Sequence, residues 1–250
     1  MKDYSADRFI HLEDGLNDIR FKGVPIGGLF ANELFNLYSN KENSFSWSQV
    51  LSVAKLFFTS YFNYRSAQNK ITFYAPIFIS KVANREHLNK LIDPIADYFH
   101  KTSVLVSGEK EYQFNNISYK NISALNLKNT LYVFLYCIKN IFNVKKKFRE
   151  YHVSINLLSL FLIFFSQVLK LQTWLNIFDE TKPKLVLLDC DRYQYSCPMV
   201  LAANIMGVNS ITLVHGVISS PYGYNPVLAD EIWCWGDFQK KILIDLGVPP

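Results

Sequence analysis

The chain has 250 residues, of which half are apolar and 16% aromatic, so it is a packed globular protein and not an intrinsically disordered one. Its net charge of +5 is a mild excess. Such an excess suits a phosphate-bearing ligand or a lipid surface, and equally suits simple solubility.

Residues 1–70 are predicted to form a mainly helical lead-in to the rest of a single domain that spans residues 1–250. A glycine-rich turn at residues 23–28 precedes a predicted helix at residues 29–38. A second helix is predicted at residues 47–64 from its apolar spacing. Charges stand within residues 1–16, where a signal peptide needs an apolar core, so we do not expect secretion.

The core is predicted to occupy residues 71–250. It opens with a βαβ unit formed by a strand at residues 71–74, a helix at residues 84–100 with a kink at Pro94, and a strand at residues 102–106. Long central helices then fill residues 130–178, in two pieces divided near residues 143–147.

The C-terminal part, residues 181–250, alternates most clearly between strands and helices. Strands are predicted at residues 184–188, 211–214 and 231–235, with helices at residues 196–206 and 237–246 that stop at Gly207 and Gly247. This alternation predicts an α/β fold with a Rossmann-like, doubly wound parallel sheet.

The most apolar segment, residues 155–171, is interrupted by polar residues, and we expect no membrane-spanning anchor. No CxxC pair occurs among the four cysteines, so we expect buried free thiols and a cytoplasmic protein.

Ligands of open parallel sheets bind beyond the carboxyl ends of the strands, and three polar loops leave such ends here. His215 is the predicted catalytic residue, because it directly follows a strand and precedes Gly216, which lets a ligand approach closely. Its imidazole would accept the proton of an attacking sugar hydroxyl or orient a phosphate. The alternative is a histidine that only holds a neighbouring loop.

The other substrate-binding candidates are Asp189, Asp191, Arg192, Gly216, Ser219, Tyr222, Tyr224, Gly27 and Gly28. The aspartates would polarise His215 or bind acceptor hydroxyls, or else Asp191 pairs with Arg192 or caps a helix. The tyrosines would stack on a sugar or simply pack. The glycines would present amides to a phosphate, although a tight turn is the commoner reason for such a pair. No metal ligands are nominated.

A basic cluster at residues 145–149 suits contact with anionic lipid headgroups, and a solvated helix end explains it equally. Neither an aromatic RNA-binding strand nor a DNA-binding motif is present, so no nucleic-acid partner is expected.

Three segments within residues 181–250 carry a family resemblance: KPKLVLLDCDR, AANIMGVNSITLVHG and YNPVLADEIWCWGDFQKKILIDLGVP. In order and spacing, His215-Gly216, then Pro226 with Ala229-Asp230, then Trp235-Gly236, resemble GT-B-fold glycosyltransferases of bacterial capsular or O-antigen-type polysaccharide synthesis. They are similar also to the glycerophosphotransferases of teichoic acid synthesis. The resemblance covers about a third of the chain.

The resemblance implies the N-terminal, acceptor-side domain of such a transferase, with His215 in the acceptor site and residues 230–236 as scaffold. It implies a nucleotide-sugar or CDP-polyol donor, held only by a C-terminal domain or a second subunit that this sequence lacks, and a glycan or lipid-linked acceptor at the inner membrane face. Two alternatives stay open: a non-catalytic glycan-binding or partner-recruiting module, and a protein like the sugar-nucleotide epimerases.

Overall fold

The computed structural model describes residues 6–30, 77–80, 104–107, 127–188, 190–192, 196–214, 218 and 224–250. The predicted strand at residues 71–74 and the predicted helices at residues 47–64 and 84–100 lie outside these residues. Of the helix predicted at residues 29–38, only residues 29 and 30 are described, and they belong to a helical turn that opens at residue 27.

The described N-terminal part consists of a helix and a small hairpin. Helix α1 spans Ala6–Leu16, and the antiparallel strands β1 (Arg20–Phe21) and β2 (Val24–Pro25) follow it. The turn between the strands passes through Gly23 at φ 90°, a backbone conformation in which a Cβ is strained. The buried side chains of Leu12, Leu16 and Phe21 attach this part to the main core.

Among the described residues, a parallel sheet of five strands forms the centre of the α/β fold. Its strands are β3 (Ile77–Ser80), β4 (Val104–Ser107), β5 (Leu185–Leu188), β6 (Asn209–Leu213) and β7 (Glu231–Trp233), arranged in the order β4-β3-β5-β6-β7. The sequence therefore predicted the parallel pairing correctly. It did not predict β3, and it extended β7 to Trp235. The strand ends earlier because the Trp235 amide donates to the Gln239 side chain of the following helix.

Helix α2 (Leu127–Glu150) is continuous, so the division predicted near residues 143–147 is wrong. The buried stripe of Val133, Cys137 and Ile141 continues through Val144 and Phe148, which keeps the same helix face packed. The chain turns instead at residues 151–156, where Asn156 accepts a hydrogen bond from the Ser159 amide. That bond caps α3 (Leu157–Thr181).

Helix α3 packs against α2 and against α4 (Ser196–Met206), and α4 in turn contacts β5 and β6. By length and composition alone, the stretch Leu157–Asp179 of α3 is long and apolar enough to cross a membrane. More than half of its most apolar window is buried inside the protein, as in the core helix of a globular domain. The last helix, α5 (Asp237–Asp245), ends near Gly247 at φ 89°, as predicted.

Candidate functional site

The carboxyl ends of β5, β6 and β7 meet at one edge of the sheet. Leu188 pairs with Thr212 and Leu213 with Trp233, so the loops that follow these strands leave from the same side. This is the edge at which parallel sheets bind ligands. Of the predicted site residues, several lie outside the described residues, namely Asp189, His215, Gly216, Ser219 and Tyr222.

Val214, the residue before His215, is fixed at the end of β6. Its amide donates to the Trp233 carbonyl at 2.8 Å, and its own carbonyl accepts a hydrogen bond from the indole Nε1 of Trp235. Val214 is buried among Leu243 and neighbouring apolar side chains. The residue before His215 is therefore held on both sides, at the point where β6 and β7 end.

Asp191 is a buried hydrogen-bond acceptor for a distant loop. Its side chain is 1% exposed, and Oδ2 accepts from the amides of Leu228 at 2.7 Å and Ala229 at 3.1 Å. These contacts fasten the loop after β5 to the segment that leads into β7. They favour a structural role for Asp191, and its predicted role in substrate binding stays a prediction.

Arg192 forms a buried ion pair with Glu13 of α1. The two side chains are 3% and 2% exposed, and both terminal nitrogens of the guanidinium donate to the Glu13 carboxylate. One of these nitrogens also donates to the Pro226 carbonyl at 2.9 Å. Arg192 thus links the N-terminal helix, the loop after β5 and the segment before β7. This engagement favours structural support, and the predicted contact with substrate is untested.

We call Glu13, Asp191 and Arg192, together with the backbone of residues 226–229, the buried polar cluster. Burial raises the pKa of Glu13, although the Arg192 guanidinium acts in the opposite direction. Burial likewise raises the pKa of Asp191, opposed by the amides of Leu228 and Ala229. Beside the cluster, burial raises the pKa of the Cys197 thiol, which keeps it neutral and a poor nucleophile.

The segment before β7 is fixed at two further points. Asp230 Oδ2 accepts from the amide and the hydroxyl of Ser210, at 2.8 and 2.9 Å. Asn204 of α4 donates to the Leu228 carbonyl at 3.0 Å. Pro226, Ala229 and Asp230 therefore each have a defined partner. These contacts attach the segment to the loop after β5, to β6 and to α4.

Gly27 and Gly28 are buried against α1 at the start of a helical turn. A Cβ at Gly27 would lie 2.3 Å from the Glu13 carbonyl oxygen, and one at Gly28 would lie 3.3 Å from the Glu13 carboxylate. These short distances favour close packing as the reason for the two glycines, and the predicted phosphate contact is untested. The structure thereby brings Gly28 to the buried polar cluster. Tyr224 is half-buried and packs against the small apolar cluster of Val214, Leu243 and Val248.

Exposed aromatic side chains near the ends of β6 and β7 were missed as site candidates. Trp235 is 69% exposed and Phe238 79% exposed, and both follow the carboxyl end of β7. The family resemblance implied that Trp235 belongs to the scaffold. Its position in the sequence could have identified Trp235 as a candidate. Trp235 lies at the predicted end of β7, and ligands of parallel sheets bind beyond the carboxyl ends of the strands.

The four cysteines, all of which lie in the described ranges, form no disulfide; Cys137 and Cys197 are buried as predicted, and Cys190 and Cys234 are half-buried. Within the described ranges, His, Cys, Asp and Glu side chains form no group of three or more that could hold a metal ion. Neither models of protein families, nor curated proteins, nor solved structures significantly match this chain, so its function has to be inferred from its own residues.

Proposed function

We propose that this protein is the acceptor-binding part of a GT-B-type glycosyltransferase of surface polysaccharide or glycolipid synthesis. In this proposal the five-stranded sheet belongs to a Rossmann-like, doubly wound domain. The domain binds a glycan or lipid-linked hydroxyl on the cytoplasmic side of the membrane. A second domain or subunit supplies the nucleotide-sugar or CDP-polyol donor.

The strand order supports a doubly wound arrangement. Numbered in chain order, the five strands of the sheet lie in the order 2-1-3-4-5, which is one of the common orders of doubly wound folds. β4 lies on one side of β3, whereas β5, β6 and β7 follow one another on the other side. The strand order therefore reverses between β3 and β5. Ligands of such folds bind outside the carboxyl ends of the strands at this reversal.

The observation that carries the functional proposal is that chemically suitable groups follow β6 and β7 at the carboxyl-end edge of the sheet, where β6 is the neighbour of β5 at the reversal. His215 directly follows the fixed Val214, and the exposed rings of Trp235 and Phe238 follow the neighbouring strand. In the proposed mechanism with a nucleotide-sugar, His215 removes the proton from the acceptor hydroxyl as the oxygen attacks the anomeric carbon. The bond from that carbon to the phosphate oxygen breaks, and the nucleotide leaves with the electron pair. Trp235 offers a flat apolar face to the acceptor sugar ring. The buried polar cluster holds the surrounding loops in place without touching the reacting atoms.

A two-stage experiment tests the proposal. Calorimetric titration of the purified chain with short hexose- and N-acetylhexosamine-containing oligosaccharides should detect binding, whereas UDP-, GDP- and CDP-linked sugars should bind weakly. Transfer of radiolabelled sugar to the oligosaccharide is then measured with a donor-binding protein added. His215→Ala should reduce this transfer by about 10²–10⁴-fold, as loss of a general base does.

The two stages separate the candidate functions. Undiminished transfer by His215→Ala would remove His215 from the mechanism. Oligosaccharide binding without any transfer would favour the alternative of a non-catalytic glycan-binding module. Absence of oligosaccharide binding would contradict both candidates.

A further inference from the structure

Helix α2 carries an exposed apolar stripe on the side opposite its buried face. Leu131, Leu135, Ile138 and Phe142 follow each other at spacings of four, three and four residues, which places them along one line of the helix. They are 54%, 57%, 47% and 68% exposed. A row of large apolar side chains with this exposure is unusual on a protein surface and marks an interaction site.

The charged residues that share this line of the helix are basic. By helical periodicity, Lys128, Lys139, Lys145, Lys146 and Arg149 lie on the same side as the stripe. All of them are exposed except Lys145, which is half-buried. Glu150, the acidic residue of α2, lies at the border of this side, 4.0 Å from the Lys146 ammonium group. The side therefore combines an apolar centre with a strongly positive surrounding.

The structure also divides the basic cluster of residues 145–149 into two parts. Phe148 is buried in the core, and Lys147 points toward α1, where it forms an ion pair with Asp18 at 3.2 Å. The remaining basic residues, Lys145, Lys146 and Arg149, continue the line of the apolar stripe. Lys147 therefore carries the same charge on a different side of the same helix.

We propose that this side of α2 docks on an anionic phospholipid bilayer. A helix with an apolar stripe and lysines beside it lies in the plane of the membrane interface, with its apolar side chains below the headgroups. The basic residues attract the negative surface potential, and each contributes to binding near the surface. Another protein that covered an apolar helix face would not require five basic residues beside it, with Glu150 only at the border.

Vesicle co-sedimentation of the full chain tests this proposal. The protein should bind vesicles that contain phosphatidylserine or phosphatidylglycerol, and should bind pure phosphatidylcholine vesicles much more weakly. Leu135→Gln with Phe142→Gln should lower binding to anionic vesicles by at least about tenfold, because two apolar side chains no longer insert. Lys145→Gln with Lys146→Gln should lower it by about 30-fold at low salt, which corresponds to a factor of about five for each charge.

Lys147→Gln is the matched control, because it removes one charge from the same helix turn on the side that faces α1. It should change vesicle binding much less than Lys146→Gln, and circular dichroism should confirm that every variant is folded. Equal binding to neutral and anionic vesicles, or equal losses in the Lys146 and Lys147 variants, would overturn the proposal. Dimerisation that is lost in the Leu135 and Phe142 variant, without vesicle binding, would show that the stripe joins two copies instead. Since the assay contains no glycan and no sugar donor, its failure would leave the proposed function intact.

Discussion

Asp191 shows how a single buried carboxylate can organise a loop that is distant in sequence. Its Oδ2 atom is the acceptor for two consecutive amides, those of Leu228 and Ala229. A buried amide without an acceptor costs about 1–3 kcal/mol. The value of Asp191 to the fold therefore lies in the two donors that it satisfies.

Replacing Asp191 by alanine should destabilise the protein strongly. The substitution leaves both amides without their acceptor, and we expect a loss of about 2–4 kcal/mol in the free energy of unfolding. Asp191→Asn keeps one acceptor oxygen in place and should cost about half as much. Urea unfolding of the three proteins measures the difference. Equal stabilities of wild type and Asp191→Ala would show that the amides find other partners.

The Glu13–Arg192 pair is the second residue-scale determinant, because it joins α1 to the loop after β5. In Glu13→Gln an NH2 group replaces one of the two oxygens that accept from the Arg192 guanidinium, so one buried donor loses its acceptor. We therefore expect Glu13→Gln to cost about 1–3 kcal/mol at mildly acidic pH. The double variant Glu13→Gln, Arg192→Met should recover part of that loss, because it buries no unpaired charge. The role of the ion pair would be contradicted if the double variant lost more free energy of unfolding than the two single variants lose together.

The stability deficit of Glu13→Gln should also depend on pH. Burial raises the folded-state pKa of Glu13 above its ordinary value of 4.5, so the folded protein holds this proton more tightly than the unfolded chain. As the pH rises from that ordinary value through the folded-state pKa, Glu13 loses its proton first in the unfolded chain. Deprotonation therefore stabilises the unfolded state more than the folded state, and the free energy of unfolding of the wild type falls. The glutamine variant lacks this proton.

The difference between wild type and Glu13→Gln should therefore shrink as the pH rises through that window. Urea unfolding at several pH values between about 4 and about 7 measures the difference. A deficit that widens with rising pH would mean that the attraction of Arg192 outweighs burial.

At the scale of elements, α1 and the helical turn at residues 27–30 approach each other closely through two glycines. A Cβ at Gly27 would meet the backbone carbonyl of Glu13 at 2.3 Å, and backbone cannot move aside easily. At Gly28 the nearest atom, at 3.1 Å, is the end of the flexible Leu228 side chain. The two neighbouring glycines therefore tolerate a methyl group to different degrees.

Gly27→Ala should accordingly cost about 1–3 kcal/mol, the usual range for overpacking, whereas Gly28→Ala should cost clearly less. Thermal unfolding of the two variants provides the comparison, and each variant serves as the control for the other. If Gly28→Ala proved the more damaging, the packing of Leu228 and the Glu13 carboxylate would be tighter than these distances indicate.

Local sequence patterns predicted elements well where a regular apolar pattern ends in a clear stop signal. Helix α4 follows its prediction at both ends, since Gly207 adopts the expected positive φ of 67°. The lysine run at residues 145–147 was misread as a break in α2. The error arose because polarity on exposed positions does not interrupt a helix whose buried face continues through Val144 and Phe148.

At the scale of the whole molecule, the sequence predicted a parallel sheet and the edge at which its loops meet. It could not predict that Asp191 and Arg192 bind backbone and Glu13, because Glu13 stands far earlier in the chain and only folding brings the groups together. For the same reason Trp235 was taken for scaffold. Its contact with the carbonyl before His215 depends on the pairing of β6 with β7.

Tryptophan fluorescence would report glycan binding beside His215 at the proposed edge formed by β5, β6 and β7. Titration with short oligosaccharides should shift the emission of the exposed Trp235 to shorter wavelengths. Trp235→Ala should abolish both this shift and calorimetric binding, whereas Trp233→Phe, which alters an exposed indole paired with Glu231, should preserve them. Unchanged oligosaccharide affinity in Trp235→Ala and in His215→Ala would contradict glycan binding at this edge.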